Sequence, residues 1–579
     1  MRTILANLSL PHYYGCMPAS DIAFFHSLSS YPDGEHRVIF ERLPLDSPRV
    51  ENALGREFLL VPGEALESLA ERAFDDMQFR LRPSYIAQLA AMSVDTMASE
   101  QERSVVKALL ENASIAAEGI FPICQDTGTA SVYGWKGDRI LVEGPEDGFQ
   151  DDVEALAAGA LASWKRKRLR NSQVVPLGGF NERNTGDNSP ITAHITAVRG
   201  DEYRFLFVAK GGGSANKTAL FQETKRLLNP EAFEGFIASA IAGLGVSACP
   251  PYRIVVILGG QSPEEATLAA KLASTGALDA LPGSPDKENG PYRDLVLEEL
   301  VMAAAASSGW GAQFGGYLLA RDARVIRLPR HAASLPVVVA VSCSAHRQAY
   351  AYINRDGYFV ERLAGKEDIE RMVDTARAAP STAEVSAQPN RAGPEKTIRR
   401  IDLGKPGTSE FKATIASLHA GEMVELWGKV ILARDAVHAR LLTMIEDGKA
   451  LPAWTHYPVF YASPSGTPDG AAVGSIGPTT SRRMDSYLEI FGEHGIFPVR
   501  IGKGERGPAC AAACLKYSGA YLAAIGGAAA LNASRYVTSC RIIDWPELGM
   551  EAVRLVELSG LPALVAVDAE GADYYARLQ

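Results

Sequence analysis

The sequence predicts an α/β fold with α+β character in its N-terminal part, in a chain of two domains. Three observations predict it. From Gly63 onward, EALESLAERAFDDM and SYIAQLAAM place apolar residues three and four apart, the spacing of helices with one buried face. Runs rich in β-branched and aromatic residues follow: YRFLFVAK, RIVVILGG and PVVVAVSC, each ending at Lys, Gly or Cys. Between Ala376 and Pro394 the composition turns to Ala, Pro and Ser without apolar periodicity, as in a linker.

Taken in order, residues 1–50 show weak periodicity and scattered Pro and Gly, and read as an N-terminal extension. Residues 51–375 carry the packed helices and the strand-like runs, and form the first domain. Residues 376–395 are the expected linker. Residues 396–579 hold TIRRIDL, EMVELWGKVILAR, FPVRIGKG and LVAVDA, strand-like runs separated by helical stretches, and read as a C-terminal α/β domain.

Composition narrows the function. The chain has 579 residues and a net charge of −10, which disfavours a broad nucleic-acid surface built on phosphate neutralisation. Its longest apolar stretch, Tyr521–Leu531, contains two glycines and falls well short of the roughly 20 residues that cross a bilayer. Asn7 and Pro11 interrupt the first apolar run before a signal-peptide core could form, so a cytoplasmic location is expected. Seven cysteines, an odd number spread over the whole length, do not resemble a disulfide framework.

Three of those cysteines sit in turn-like settings: Cys124 in PICQDTGT, Cys249 in ACPPYR and Cys343 in SCSAHR. They lack the paired knuckles of structural zinc. Three well-separated thiolates do suit an iron–sulfur cubane with one iron left free, a Lewis acid able to draw off a hydroxyl, which suggests a dehydratase. Such an enzyme needs a proton acceptor and cations for the substrate's carboxylates. Asp126 lies two residues from Cys124, although Asp before Thr-Gly is also an ordinary turn residue. KGGGSANK, Lys210–Lys217, offers successive backbone N–H groups to an anion but lacks the phosphate-loop spacing. Arg170 ends the basic run WKRKRLR, GPTTSRRMDSY supplies threonines and arginines, and IGKG places Lys503 at a strand end. Any one of these is more often an ordinary loop cation, and His331 in LPRHAAS more often a structural histidine.

Together the motifs PICQDTGTA, NTGDN, KGGGSANKT, ACPPY, GAQFGG, IRLPRHAAS, VSCSAHR, ARDAVHAR, GPTTSRRMDSY, GKG and WPELGMEA resemble those of the class I, iron–sulfur-dependent fumarate hydratases. The resemblance runs in family order from about Glu57 to the C-terminus. It implies a 4Fe-4S cluster held by Cys124, Cys249 and Cys343, and reversible hydration of fumarate to L-malate. It implies that Asp126 and Thr479 handle the carbon-bound proton. Gln125, Arg170, Gly213, Arg434, Arg483 and Lys503 would bind a small dicarboxylate, with His331 joining from the partner subunit of a homodimer. It places the active site between the two domains. Two departures, Ser481-Arg482 before Arg483 and the extra Cys510 and Cys514 after GKG, flank the carboxylate side. They keep open a related hydro-lyase acting on tartrate or a methylated fumarate.

Overall fold

The computed structural model describes residues 38–144, 151–285, 290–379 and 398–578. The first amphipathic run forms the helix Gly63–Phe79, which buries Leu66, Leu69, Phe74 and Met77 completely. Burial of each such side chain contributes roughly 1.5–3 kcal/mol. The helix packs on Asp152–Arg166 so closely that a Cβ on Gly159 would lie 2.2 Å from the Glu67 carbonyl oxygen. Only glycine admits that approach. Pro83 starts the next helix, Pro83–Ser93, at the position where a missing N–H costs nothing. A capping box of Ser99 and Glu102 opens the third, Glu100–Ala116.

Two sheets organise the N-terminal half. In the first, the order is Phe40–Arg42, Gly357–Glu361, Gln348–Asn354, Tyr203–Lys210, Thr129–Gly137 and Thr192–Val198, antiparallel except for the last pair. In the second, Tyr252–Gly260 runs parallel to Ala320–Arg330 and antiparallel to Leu335–Ser342. Every residue of Tyr252–Gly260 is buried, which explains why its sequence is a continuous apolar run and not an alternating one.

The C-terminal half is built on a seven-stranded sheet. Met423–Leu432, Val459–Phe460, Val499–Gly502 and Ala520–Ala524 are parallel neighbours. The 15-residue strand Val553–Val567 runs antiparallel to both Ala520–Ala524 and Met423–Leu432, and so closes these five strands into a barrel. The expected α/β alternation is present, and the closure comes from a pairing between strands more than 120 residues apart in sequence.

Two expected boundaries move. The cut at residue 50 falls inside the strand Arg49–Ala53, and Phe40–Arg42 pairs with Gly357–Glu361, so the chain is part of the first half from Phe40 on. Residues 1–37 of the expected extension lie outside the described residues. The helix Lys366–Ala378 continues past 375, and most of the expected linker lies outside the described residues. The halves share a core: Tyr521, Ala523, Leu564 and Tyr575 join the same apolar cluster as Tyr85, Leu109 and Ala248. Among the described residues no helix is long and apolar enough to cross a membrane.

Candidate active site

Cys124, Cys249 and Cys343 come from three connections of the N-terminal half. Cys124 lies between the helix Glu100–Ala116 and the strand Thr129–Gly137, in a segment fixed by the Ile123 N–H on the Gln78 carbonyl (2.9 Å) and by Asn112 Nδ2 on the Ile123 carbonyl (3.0 Å). Cys249 precedes Tyr252–Gly260 with φ +64°, and its carbonyl accepts from the N–H of Ser344, the neighbour of Cys343, at 3.1 Å. Cys343 ends Leu335–Ser342. Burial pushes the Cys124 thiol up to about 11, with the charges of Asp126, Cys249 and Cys343 adding to the rise and Arg347 opposing it. Burial likewise raises Cys249. The charge of Cys343 thus bears on both Cys124 and Cys249.

Among the described residues no three His, Cys, Asp or Glu side chains are placed to hold a single metal ion. A cubane takes one thiolate at each of three corners and asks for wider-spaced sulfurs than a mononuclear site. Free thiols at Cys124, Cys249 and Cys343, the first two made hard to ionise by burial, are a donor set whose chemistry suits such a group.

Lys503 reaches this set from the other half. Its Nζ donates to Cys249 Sγ at 2.8 Å, and its own N–H is held by Ser481 Oγ at 3.1 Å. Burial lowers its pKa, but the charge of Cys249, the hydrogen bond to it and the charges of Cys124 and Cys343 more than offset this and keep the ammonium protonated.

Asp126 is both a turn residue and a site residue. Its Oδ1 accepts from the Gly128 N–H at 3.1 Å, the ordinary turn bond, while Oδ2 accepts from the Gly212 N–H at 2.8 Å. Burial pushes its carboxyl up, but the guanidiniums of Arg170 and Arg347 and those two N–H groups hold it below the usual carboxylate range. The glycine beside it sits tightly, since a Cβ on Gly211 would lie 3.0 Å from Asp126 Oδ2. A Cβ on Gly213 would lie 3.9 Å from Lys503 Nζ.

The remaining cations extend from here into the C-terminal half. Gln125 Nε2 donates to the Pro478 carbonyl at 3.4 Å, next to Thr479. Arg483 Nη2 donates to Thr479 Oγ1 at 3.3 Å and pairs with Asp435 at 3.1 Å. Buried Arg434 lies 3.5 Å from Asp435 and 3.6 Å from Glu551, and its Nε has no partner. Arg170 is lowered first by burial and then by the charge of Arg434.

Eight of the nine expected site residues other than the cysteines thus join one another through direct contacts or mutual charge. His331 does not. It lies exposed in the turn between Ala320–Arg330 and Leu335–Ser342, where its Nδ1 accepts from the Ala333 N–H at 3.2 Å. Arg347 and Gln78 were not legible as site residues. Arg347 Nη1 donates to Gln78 Oε1 (2.9 Å), Gln78 Nε2 donates to the Thr127 carbonyl (3.0 Å), and Thr127 Oγ1 bonds the backbone of Arg170 (3.0 Å). The only sequence signal was the place of Arg347 four residues after Cys343.

Comparison with known proteins supplies a context for this arrangement. A family model described as fumarate hydratase (fumerase) matches residues 67–352, and one described as fumarase C-terminus matches residues 372–578. The chain is 40% identical over 559 residues to the aerobic class I fumarate hydratase of Escherichia coli K12, covering 96% of this chain and 97% of that one. It is 41% identical over 545 residues to fumarate hydratase 2 of Leishmania major, covering 94% of this chain and 92% of that one. A putative L(+)-tartrate dehydratase subunit alpha of Methanocaldococcus jannaschii is 30% identical over 265 residues, 45% of this chain and 87% of that one.

Proposed function

The chain belongs to the class I fumarate hydratase family and is a hydro-lyase, and from that premise we propose that it hydrates fumarate reversibly to L-malate with a 4Fe-4S cluster on Cys124, Cys249 and Cys343. The observation that carries the reading is the contact of Lys503 with Cys249 across the two halves, with Cys124 and the ionised Asp126 in the same field of charge. When bound, the cluster supplies a Lewis acid for the hydroxyl that leaves or arrives.

The chain's own residues do the rest. Arg170, Arg434, Arg483 and Lys503 give the site the positive charge that two carboxylates need, and arginine adds two-pronged geometry. Gln125 and the backbone at Gly213 complete the cradle. Asp126, held ionised, accepts the proton from carbon in dehydration and returns it in hydration. Thr479 assists: the Arg483 N–H on its Oγ1 stabilises negative charge on that oxygen, which a hydroxyl needs to act in proton transfer. A site between the halves admits the reacting water while keeping bulk solvent from the carboxylates. We further propose a cytoplasmic homodimer in which His331, exposed on its turn, reaches the partner's site.

The test is iron and sulfide content, together with turnover of fumarate, tartrate and mesaconate, on anaerobically purified protein. Fumarate hydration that requires the iron is expected. Turnover of tartrate alone, or activity that survives removal of the iron, overturns the reading. A monomeric mass by light scattering removes the role of His331.

A further inference from the structure

A cavity of about 400 Å³ lies in the N-terminal half, lined by none of the three cysteines. Arg82, Tyr85, Arg253, Arg321, Arg324 and His346 line it. Most of its charges are already matched. Arg82 binds both oxygens of Glu361, at 2.6 and 2.9 Å. Arg324 binds both oxygens of Asp279, at 2.9 and 3.1 Å, and Arg253 shares that carboxylate. Next to the cavity, Arg293 binds both oxygens of Glu298, at 3.0 and 2.7 Å, and Glu298 also lies 3.9 Å from Arg324.

Arg321 is the exception. Its side chain is only 1% exposed, its approach to Asp322 is 3.9 Å, and Asp322 also faces Arg253 and Arg324 at 3.6 and 3.8 Å. Its Nε and Nη1 have no hydrogen-bond partner. The cluster therefore sets four arginines (253, 293, 321 and 324) against three carboxylates (Asp279, Glu298 and Asp322). The neighbouring His346 does not restore the balance: it is buried, its Nδ1 engages Ser342 Oγ, and the charges around it are those of Arg321, Arg253, Arg82 and Lys210. Burying an uncompensated guanidinium costs several kcal/mol, and an anion is what offsets it.

We infer that this cavity is a binding site for a small oxyanion, a phosphate or a carboxylate, anchored by Arg321. The Tyr85 ring forms one wall, with the Arg321 guanidinium 4.4 Å from its centroid and the His346 ring in edge contact at 5.6 Å. The same tyrosine donates its hydroxyl to the Ser344 carbonyl at 3.0 Å, beside Cys343. An anion held here therefore bears on the loop that carries a proposed cluster ligand.

The experiment is thermal unfolding of the full chain at fixed ionic strength, titrated with inorganic phosphate and, separately, with acetate. The wild type should show a saturable rise in midpoint with at least one of them. Arg321→Met should weaken that apparent affinity at least about ten-fold, the loss of one charge-assisted partner. Without anion it should melt no lower than wild type, because it removes the uncompensated charge. Arg483→Gln, altered in the proposed substrate site, should keep the response. No saturable rise with either anion, or the same rise in Arg321→Met, overturns the inference. Should Arg321→Met fail to fold, Arg321→Lys serves: it keeps the charge but loses the fork, so unchanged affinity there also overturns it.

Discussion

Lys503 and Cys249, 254 residues apart, meet at 2.8 Å across the seam between the two halves. The lysine donates to a thiol that burial and the charges of Cys343 and Asp126 make hard to ionise, and opposes that rise. Lys503→Met should therefore lower kcat/KM for fumarate by about 10²–10³, the cost of losing one preorganised charge donor. It should also lower the iron retained after purification. Steady-state kinetics and metal analysis check both, and wild-type values for the two would remove Lys503 from the site.

Gly526 leaves no room for a side chain: a Cβ there would lie 2.5 Å from Cys249 Sγ and 3.0 Å from Lys503 Cδ. Gly526→Ala should displace the thiol, with loss of iron and of activity while the circular dichroism of the fold is retained. Full iron content in this variant would contradict the ligand role proposed for Cys249.

Asp126→Asn keeps the shape and the turn bond but removes the charge. The expected fall in kcat is about 10²–10⁴, the range of a positioned acid–base group. Solvent-deuterium exchange into malate separates Asp126 from Thr479. Exchange should vanish in Asp126→Asn and slow in Thr479→Val; full exchange without the threonine hydroxyl removes it from the proton step.

Stability should fall on the acid side through His438. Its ring is buried among Tyr461, Tyr487, Phe491 and Phe497, and burial, with Arg506 and Arg500, lowers its pKa from 6.5 to about 4. Between those values the unfolded chain binds the extra proton, so stability rises with pH up to about 6.5 and is progressively lost as pH drops toward 4. At about 1.4 kcal/mol per unit the ceiling is about 3 kcal/mol. His438→Phe should flatten this limb relative to wild type, at the cost of the 2.8 Å bond to the Arg434 carbonyl. Urea unfolding at pH 7.5 and pH 5 measures the difference; equal pH dependence in the two proteins would refute it.

Asn112 ties the halves together at a buried point, donating to the Ile123 carbonyl and accepting from the Leu531 N–H, each at 3.0 Å. Asn112→Leu strands both backbone groups. The expected loss is about 2–6 kcal/mol, from about 1–3 kcal/mol for each unsatisfied group. A denaturation midpoint unchanged from wild type would show that the seam does not depend on it.

The legible parts of this molecule are those whose pattern is local. RIVVILGG reads as a buried strand because both its faces are covered, and Asp126 reads as a turn because Gly128 supplies the positive φ that follows. The closing of the barrel was not legible, since no local pattern says that Met423–Leu432 will pair with Val553–Val567. Nor was Arg347, whose part depends on Gln78, 269 residues away. The strand Phe40–Arg42 is short and its burial incomplete, which is why its periodicity is weak and the first half was expected to start too late. At Thr479 the residue was legible only through resemblance; its contact with Arg483 is a matter of three dimensions.

The apolar cluster that Tyr521, Leu564 and Tyr575 share with Tyr85, Leu109 and Ala248 makes the boundary between the halves a buried apolar contact. Continuity of the polypeptide is then a convenience of assembly more than a condition of survival. Two separately synthesised pieces, divided between Ala379 and Ile398, should find each other and stay together as a tight noncovalent pair.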